Sequence, residues 1–504
     1  MSTPGPLWLA FALLLAPVAA LATLAWPVDA ANPARRWRTA LLVSAAALTL
    51  ALCLLGVAPA LRGEAATFEL LRLTPQVPLA LRADALGSLY ALSAAGLWLL
   101  ALIYALGYLQ GPNQARTYAA LLVGLGAAIG VAYAANLLTF FVFYELLSVL
   151  TYLLVIHDQT PRALSAGLTY LVYVLVGGSL VLAGTLVTFA QVGDLSFQPG
   201  GSALAFGADP SSLTLAFLCF LLGFGVKAAL MPLHGWVAEA HPAAPAPCSA
   251  LLSGVLVAAG AFGLLRVSFD ILGLERLHAS GLLPWLALAS GATVIVAALR
   301  AWQQDDLKRR LAYSTVSQLG YVTLALAQAA PLATLGALVH VVHHAFMKGA
   351  LFFCAGSFAH VSGRRGMAAL AGMSKLAPFS AAAFTLAALG LIGVPPLAGF
   401  VSKWWLGLGM LDADAPGALV VLLVGALLAA AYLLPVVYQL YLAEAPPPSE
   451  GASGRAHHVD HKPGLVIAIA AAVAVTVLLG LAADATGFPL ALARQAVSER
   501  FGGG

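Results

Sequence analysis

Charge is what this sequence has least of. Only 9% of its 504 residues are Asp, Glu, Lys or Arg, while 62% are hydrophobic. A soluble domain devotes about a quarter of its residues to charge, so a water-soluble globular fold is excluded. Cysteine is also sparse. Cys53, Cys219, Cys248 and Cys354 lie far apart in apolar surroundings, with no CxxC pair and no Cys/His cluster. They read as small buried hydrophobes, not as a disulfide or a metal site. A dinucleotide-binding glycine fingerprint, iron–sulfur cysteines and a haem-attachment motif are missing, so no cofactor and no electron transfer are expected on this chain. Basic residues are scattered, without an aromatic-interleaved patch, which argues against nucleic acid as a partner. The alternating segments of about ten residues that build a membrane β-barrel are absent as well.

What is present instead is a succession of apolar runs, each about 20 residues long, the length that crosses a bilayer as a helix. Fourteen candidate spans lie near 7–25, 39–60, 86–108, 117–134, 137–156, 165–190, 212–233, 246–266, 281–299, 311–329, 333–360, 378–410, 417–441 and 464–483. The first lacks a basic leading region and is followed by further spans, so it reads as a retained helix, not a signal peptide. The predicted fold is an all-α polytopic membrane protein. Residues 61–84 form the longest early connection, and "LRLTPQVPLALRAD" within it reads as a short hairpin. Residues 444–464 read as a polar, Pro/Gly-rich loop.

Lys and Arg are unevenly distributed between the connections. Those after odd-numbered spans carry fourteen, and those after even-numbered spans five. The positive-inside rule then places the first set in the cytoplasm and both termini outside, in a bacterial-type plasma membrane. Arg494 and Arg500 in the C-terminal tail narrow the margin without reversing it.

The few charges inside spans are informative. A charge at mid-membrane costs at least about 2.5–3.5 kcal/mol and marks a functional site by default. Glu145 stands alone in "NLLTFFVFYELLSVLTYLLVI". Lys227 follows two glycines and precedes Pro232, which breaks the helix. Irregular backbone at membrane depth is tolerated where it is buried or lines a wet cavity. Lys227 therefore looks like part of an ion path, with Glu145 as its expected partner. His340, His344 and Lys348 recur every four residues and share one helical face. Imidazoles titrate near neutral pH, so such a stripe suits proton relay. No carboxylate accompanies it, which argues against a metal. Lys403 follows a second break at Gly393-Val-Pro-Pro.

Two broken helices, each with one lysine, in corresponding positions of two halves point to an inverted-repeat transporter. The chain accordingly divides into 1–110 (helices 1–3), 111–267 (a first five-helix repeat), 280–441 (a second) and 442–504 (a cytoplasmic loop and helix 14), with helices 7 and 12 broken. Blander readings exist for each residue: a static buried pair for Glu145 and Lys227, polar helix packing for the histidines, and snorkelling for Lys403. The charged stretch "QQDDLKRR" reads as a solvated turn. His234, Glu239 and His241, after Pro232, either gate proton intake at the cytoplasmic mouth or are interfacial.

These segments resemble a known family. "GFGVKAALMPLHGWVAEAHPAAPAPCSALLSGVLVAAGAFGLLR", "FYELLSVLTYLLV", "DDLKRRLAYSTVSQLGY", "HHAFMKGALFF" and "GVPPLAGFVSKWW" are similar to the proton-conducting antiporter-like subunits of respiratory complex I, membrane-bound hydrogenases and Mrp-type Na+/H+ antiporters. They occur in the family's order. The resemblance implies fourteen helices with two inverted five-helix repeats. It also implies a hydrated polar axis in which Glu145, Lys227, His344, Lys348 and Lys403 match the family's charged positions. The usual eighth-helix lysine is replaced by Ala258, leaving Ser249, Ser253 or water to bridge the row. The implied partners are other membrane subunits, the lipid bilayer, protons and sodium. The reading is a proton-translocating subunit of a cation/proton antiporter, similar to the D-type component of Mrp antiporters. A pump subunit of a complex I-like or hydrogenase assembly is the alternative, and a non-conducting scaffold the second alternative.

Overall fold

The computed structural model describes residues 6–25, 34–74, 77–110, 113–202, 209–363, 365–444, 460, 462–484 and 488–502. Arg364, Arg455 and most of the polar stretch at 444–464 lie outside the described residues.

Helices α1 (Trp8–Ala25), α2 (Ala34–Leu55) and the short α3 (Val57–Leu61) lead into an antiparallel hairpin. Its strands are β1 (Ala66–Thr74) and β2 (Val77–Ala83), so the predicted hairpin forms. Next come α4 (Ala85–Tyr108), α5 (Gln114–Ala132), α6 (Leu137–Val155) and α7 (Pro161–Val192). Helix α8 (Pro210–Lys227) stops at Lys227, and α9 (Gly235–Ala243) resumes after an irregular stretch. Helix α10 (Ala246–Ala279) contains two π-helical turns, Leu252–Leu256 and Val267–Leu272. It is followed by α11 (Leu283–Trp302), α12 (Leu307–Leu326) and α13 (Pro331–Ser362). Another interrupted pair, α14 (Pro378–Ile392) and α15 (Ala398–Asp412), precedes α16 (Pro416–Tyr441), α17 (Pro463–Leu481) and α18 (Leu490–Phe501). Among the described residues, eleven helices are long and apolar enough to cross a membrane, and residues 8–24 and 378–392 form shorter apolar ones.

Local chemistry sets the helix starts. Side chains of Asp84, Asn136, Thr160, Asp209 and Asp306 accept from the backbone N–H three residues on, at 2.7–3.1 Å. Each satisfies one of the donors that a helix N-terminus leaves open. Proline opens α7, α8, α13, α14, α16 and α17, where its missing N–H costs nothing. Helices α10 and α13 are enclosed by the others. Helices α2, α7, α16 and α17 turn an apolar face outward, with Leu48, Leu168, Leu427 and Ile467 exposed.

The connections meet at two rims. At one, Asn113 Nδ2 donates to His157 O (3.0 Å), Lys308 Nζ to Ala244 O (2.6 Å) and Arg365 Nη1 to Pro242 O (2.7 Å). This is the basic rim. The charged stretch at 303–310 is only in part the solvated turn expected for it, with Gln303 and Asp305 exposed. Lys308 and Arg310 are buried, and Arg310 donates to the carbonyls of Gln304 and Tyr432. Apart from the bond to Tyr432 O inside α16, these cations sit where α9 and α11 end, satisfying orphan carbonyls at the negative end of the helix dipole.

At the opposite rim the hairpin pairs with the start of the α5–α6 connection (Leu81 with Ala134), and Asn136 pairs with Ser196. Beside it lies a buried ion network that the sequence pattern does not announce. Arg266 of α10 donates to both carboxylate oxygens of Asp84 (2.6 and 2.8 Å) and to Asp270 (2.8 Å). Arg500 of α18 donates to Asp270 Oδ2 at 2.8 Å, and its Nε lies 2.8 Å from Oδ1. Helix α18 is not among the fourteen expected spans, because Arg494, Arg500 and Glu499 hide the apolar face formed by Leu490, Leu492, Ala493 and Ala496.

Candidate functional site

The lysines of both interrupted helices sit at breaks, and their surroundings differ from those expected. Lys227 is the last residue of α8 and is buried. Its Nζ donates to Ser148 Oγ (2.7 Å) on α6 and Tyr170 OH (3.2 Å) on α7. The ammonium also faces the Tyr144 ring, 5.1 Å from its centroid, an arrangement that stabilises a cation. Glu145 and Lys227 form no ion pair within 4 Å, although their charges interact. Glu145 is thus the charge partner of Lys227 at a distance, while hydroxyls and an aromatic face hold the ammonium. Glu145 is half-buried and lies against Gly178, where a Cβ would collide with its carboxylate. Ser148 lies three residues beyond Glu145 in the same apolar helix, a polar signal that the charge alone overshadowed.

The histidine stripe is enclosed. His340, His344 and Lys348 are each 0% exposed on α13. The His340 and His344 rings are 6.0 Å apart, and Tyr321 of α12 meets His340 edge-on at 5.8 Å. His340 Nδ1 lies 2.9 Å from Ser402 Oγ, and Ser402 also reaches Gly399 O at 3.2 Å. When the serine hydroxyl donates to that carbonyl, His340 Nδ1–H is the donor to Ser402 and Nε2 carries the lone pair. Lys348 Nζ donates to Leu311 O (2.9 Å) and to Ser314 Oγ on α12. Gln318, one turn beyond Ser314, is buried with its amide unpartnered, as are both ring nitrogens of His344. Buried polar atoms of this density are normally satisfied by water. Ser314 and Gln318 were legible as polar residues four apart in "STVSQLGY", yet they carry no charge and so did not stand out. His343 is buried too, on another side of the same helix.

Lys403 does not snorkel. Its Nζ donates to Leu391 O (2.8 Å) and Ile392 O (2.7 Å), the last carbonyls of α14, and stands 5.5 Å from the Tyr321 ring. The helix end concentrates negative partial charge there. Gly393 makes this possible. Its φ is +102°, and a Cβ would approach Lys403 Cδ to 2.9 Å. Gly393→Ala is therefore expected to cost about 1–3 kcal/mol, read as a lowered melting temperature of the purified complex. Unchanged melting would show that the break tolerates a side chain and that Lys403 is held by other means.

Between the two lysine sites, Ala258 is buried in α10 just after a π turn. Two residues on, Gly260 packs against Phe224 O and Ala228 N, backbone on backbone, beside Lys227. Ser253 pairs with Thr315 of α12 at 2.6 Å. Ser249, in contrast, bonds carbonyls at the end of α9, including His241 O at 2.9 Å. The three residues expected at the mouth separate. Glu239 pairs with Arg309 (2.8 Å) and both are half-buried; His234 is half-buried near Tyr313. His241 is not at the mouth. It is 0% exposed, stacked on Phe352 with centroids 5.0 Å apart, and interacts electrostatically with Lys348 and Lys308.

Many spanning helices, two helix breaks each with a buried lysine, and a histidine–lysine stripe between them define a membrane protein of the proton-antiporter-like class. Residues 134–429 match the family described as NADH:quinone oxidoreductase/Mrp antiporter, TM, and the chain belongs to that family. It is 36% identical over 364 residues to NADH-quinone oxidoreductase subunit N of Desulforudis audaxviator, covering 70% of this chain and 71% of that one. It is 33% identical over 345 residues to hydrogenase-4 component B of Escherichia coli, covering 65% of this chain and 50% of that one. Among solved structures, the fold is similar to a chain of the Mrp complex from Dietzia sp. (TM-score 0.85, 23% identity, 98% of both chains). It is also similar to a chain of respiratory complex I from Thermus thermophilus (TM-score 0.81, 23% identity, 98% of this chain and 100% of that one). The protein is thus a multi-pass, antiporter-like membrane subunit of the kind found in complex I, Mrp and hydrogenase-type assemblies.

Proposed function

We propose that this chain translocates protons across the membrane as one subunit of a multisubunit cation/proton antiporter, in the manner of the D-type component of Mrp antiporters. One observation carries the reading: Lys227, His241, His344, His340, Lys348 and Lys403 are all buried at or between two helix breaks, where charge is costly. A proton taken up near Lys227 passes by way of His241 and water to the stripe of α13, and then to Lys403. The charge on Glu145 couples to the proton on Lys227 through a low-dielectric space. The basic rim faces the cytoplasm of a bacterial-type plasma membrane, both termini lie outside, and residues 111–267 and 280–441 act as two inverted repeats. Sodium is the exchanged cation in this reading.

The second reading is a pump subunit of a complex I-like or hydrogenase assembly, favoured by the identity to NADH-quinone oxidoreductase subunit N. The deciding experiment measures pH gradients in everted vesicles carrying the complete assembly, wild type against Lys227→Ala. Sodium is expected to collapse the gradient in wild type and more than about tenfold less in the variant. A redox donor driving proton uptake, with no sodium response, would replace the antiporter by a pump. A variant indistinguishable from wild type in both assays would make the buried charges structural.

A further inference from the structure

A guanidinium on the basic rim is buried with two of its three nitrogens unpartnered among the described residues. Arg38, in the first turns of α2, is 5% exposed. One face of its side chain lies over the Tyr118 ring, 5.6 Å from the centroid, while Nε and Nη1 have no hydrogen-bond partner. Burying an unpaired charge is expensive, and an anion is the usual compensation. Arg38 borders a cavity of about 860 Å³ between α2, α4 and α17. Lys462, just before α17, lines the same cavity with its Nζ 3.4 Å from His360 Nε2, as do Gln110 and Gln114, and among the described residues no acidic one does. Deeper along the helices the wall turns apolar, through Val43, Ile103 and Ile467, and Ile467 is 53% exposed on the outer surface.

We propose that this cavity is a binding site for an anionic phospholipid, with its phosphate against Arg38 and Lys462 and its acyl chains along Val43, Ile103 and Ile467. The site has the two properties that such a lipid needs and a free anion does not: cations at one end and an apolar wall continuous with the lipid-facing surface at the other. Basic pockets between membrane helices on the cytoplasmic side bind acidic headgroups. A guanidinium offers a fork of donors to phosphate, so Arg38 is the stronger anchor and Lys462 a point charge.

The test is native mass spectrometry of the assembled complex in detergent, titrated with cardiolipin, phosphatidylglycerol or phosphatidylcholine. Wild type is expected to retain the anionic lipids and not phosphatidylcholine. Arg38→Gln is expected to bind them about tenfold more weakly. Ile467→Trp, which narrows the apolar end and leaves both cations in place, is expected to weaken binding as well. It keeps the test valid if Arg38→Gln fails to assemble. Equal retention of phosphatidylcholine would overturn the proposal. So would full competition by inorganic phosphate with no effect of Ile467→Trp, which would leave an anion site only. A third overturning result is Thr39→Cys, at the cavity wall, labelled by a thiol reagent in the isolated chain but shielded in the delipidated complex. That would make the occupant a neighbouring subunit.

Discussion

Lys348→Met is expected to lower proton flux through the assembled complex about 100-fold while leaving its melting temperature unchanged or raised. The two halves of this expectation come from the same geometry. Lys348 is wholly enclosed, and among the described residues it has no carboxylate within 4 Å; its contacts are Leu311 O and Ser314 Oγ. Its charge therefore burdens the fold, and replacing a buried charge by an apolar side chain of similar volume is often neutral or stabilising. Its partners do not become orphans, because Leu311 O keeps the hydroxyls of Ser314 (2.9 Å) and Thr315 (3.0 Å) as donors. For conduction the residue is costly to lose. Without the titratable group that neighbours both His241 and His344, a proton meets an added barrier of at least about 2.5–3.5 kcal/mol, a factor of about 100 in rate. Flux in proteoliposomes and a thermal melt of the same preparation check both. A variant that conducts normally, or one that melts well below wild type, would make Lys348 a packing residue.

The largest effect on stability is expected at the opposite rim. Arg266→Met should destabilise the protein by about 3–5 kcal/mol. Arg266 holds Asp84 in a two-bond fork and shares Asp270 with Arg500. Two carboxylates and two guanidinium groups balance in a space from which water is excluded. Removing one cation leaves a buried negative charge that solvent cannot reach. The four residues join the start of α4, the second π turn of α10 and the C-terminal helix α18. Loss of the network is thus expected to speed proteolysis within residues 490–501 as well as to lower the melting temperature. Pairing the change with Asp84→Leu should recover part of the loss, since neighbours in one network are not additive. A melt within about 0.5 kcal/mol of wild type, a typical surface effect, would show that the network contributes nothing net.

The charges that stand out in the candidate site were legible because the bilayer penalises each one where it sits. That penalty depends on one segment at a time, so scarcity alone picked out Glu145, Lys227, the α13 stripe and Lys403. Gly393 and the prolines marked the breaks for a similarly local reason, since backbone geometry is fixed by the residue itself. The uncharged members of the row, Ser148, Tyr170, Ser314 and Ser402, were visible only as polar residues and did not stand out. A hydroxyl in a membrane helix can satisfy itself on its own backbone, as Thr151 does with Leu147 O at 2.7 Å. Nothing in the sequence distinguishes such a residue from one that receives a lysine.

By itself, then, the sequence determined a polytopic helical membrane protein, the hairpin after α3, the two interruptions and the charged positions beside them. These follow from apolar length, charge scarcity and proline, all properties of short windows. Only the tertiary structure decided the partners. Lys227 donates to hydroxyls 79 and 57 residues away, and its interaction with Glu145 acts beyond hydrogen-bond reach. Arg266 finds Asp84 across 182 residues, His241 is enclosed instead of lying at the mouth, and Lys308 and Arg310 are drawn inward onto the ends of α9 and α11. Such pairings depend on which helices touch and at what height, because a buried polar group takes whichever partner the packing brings within about 3 Å.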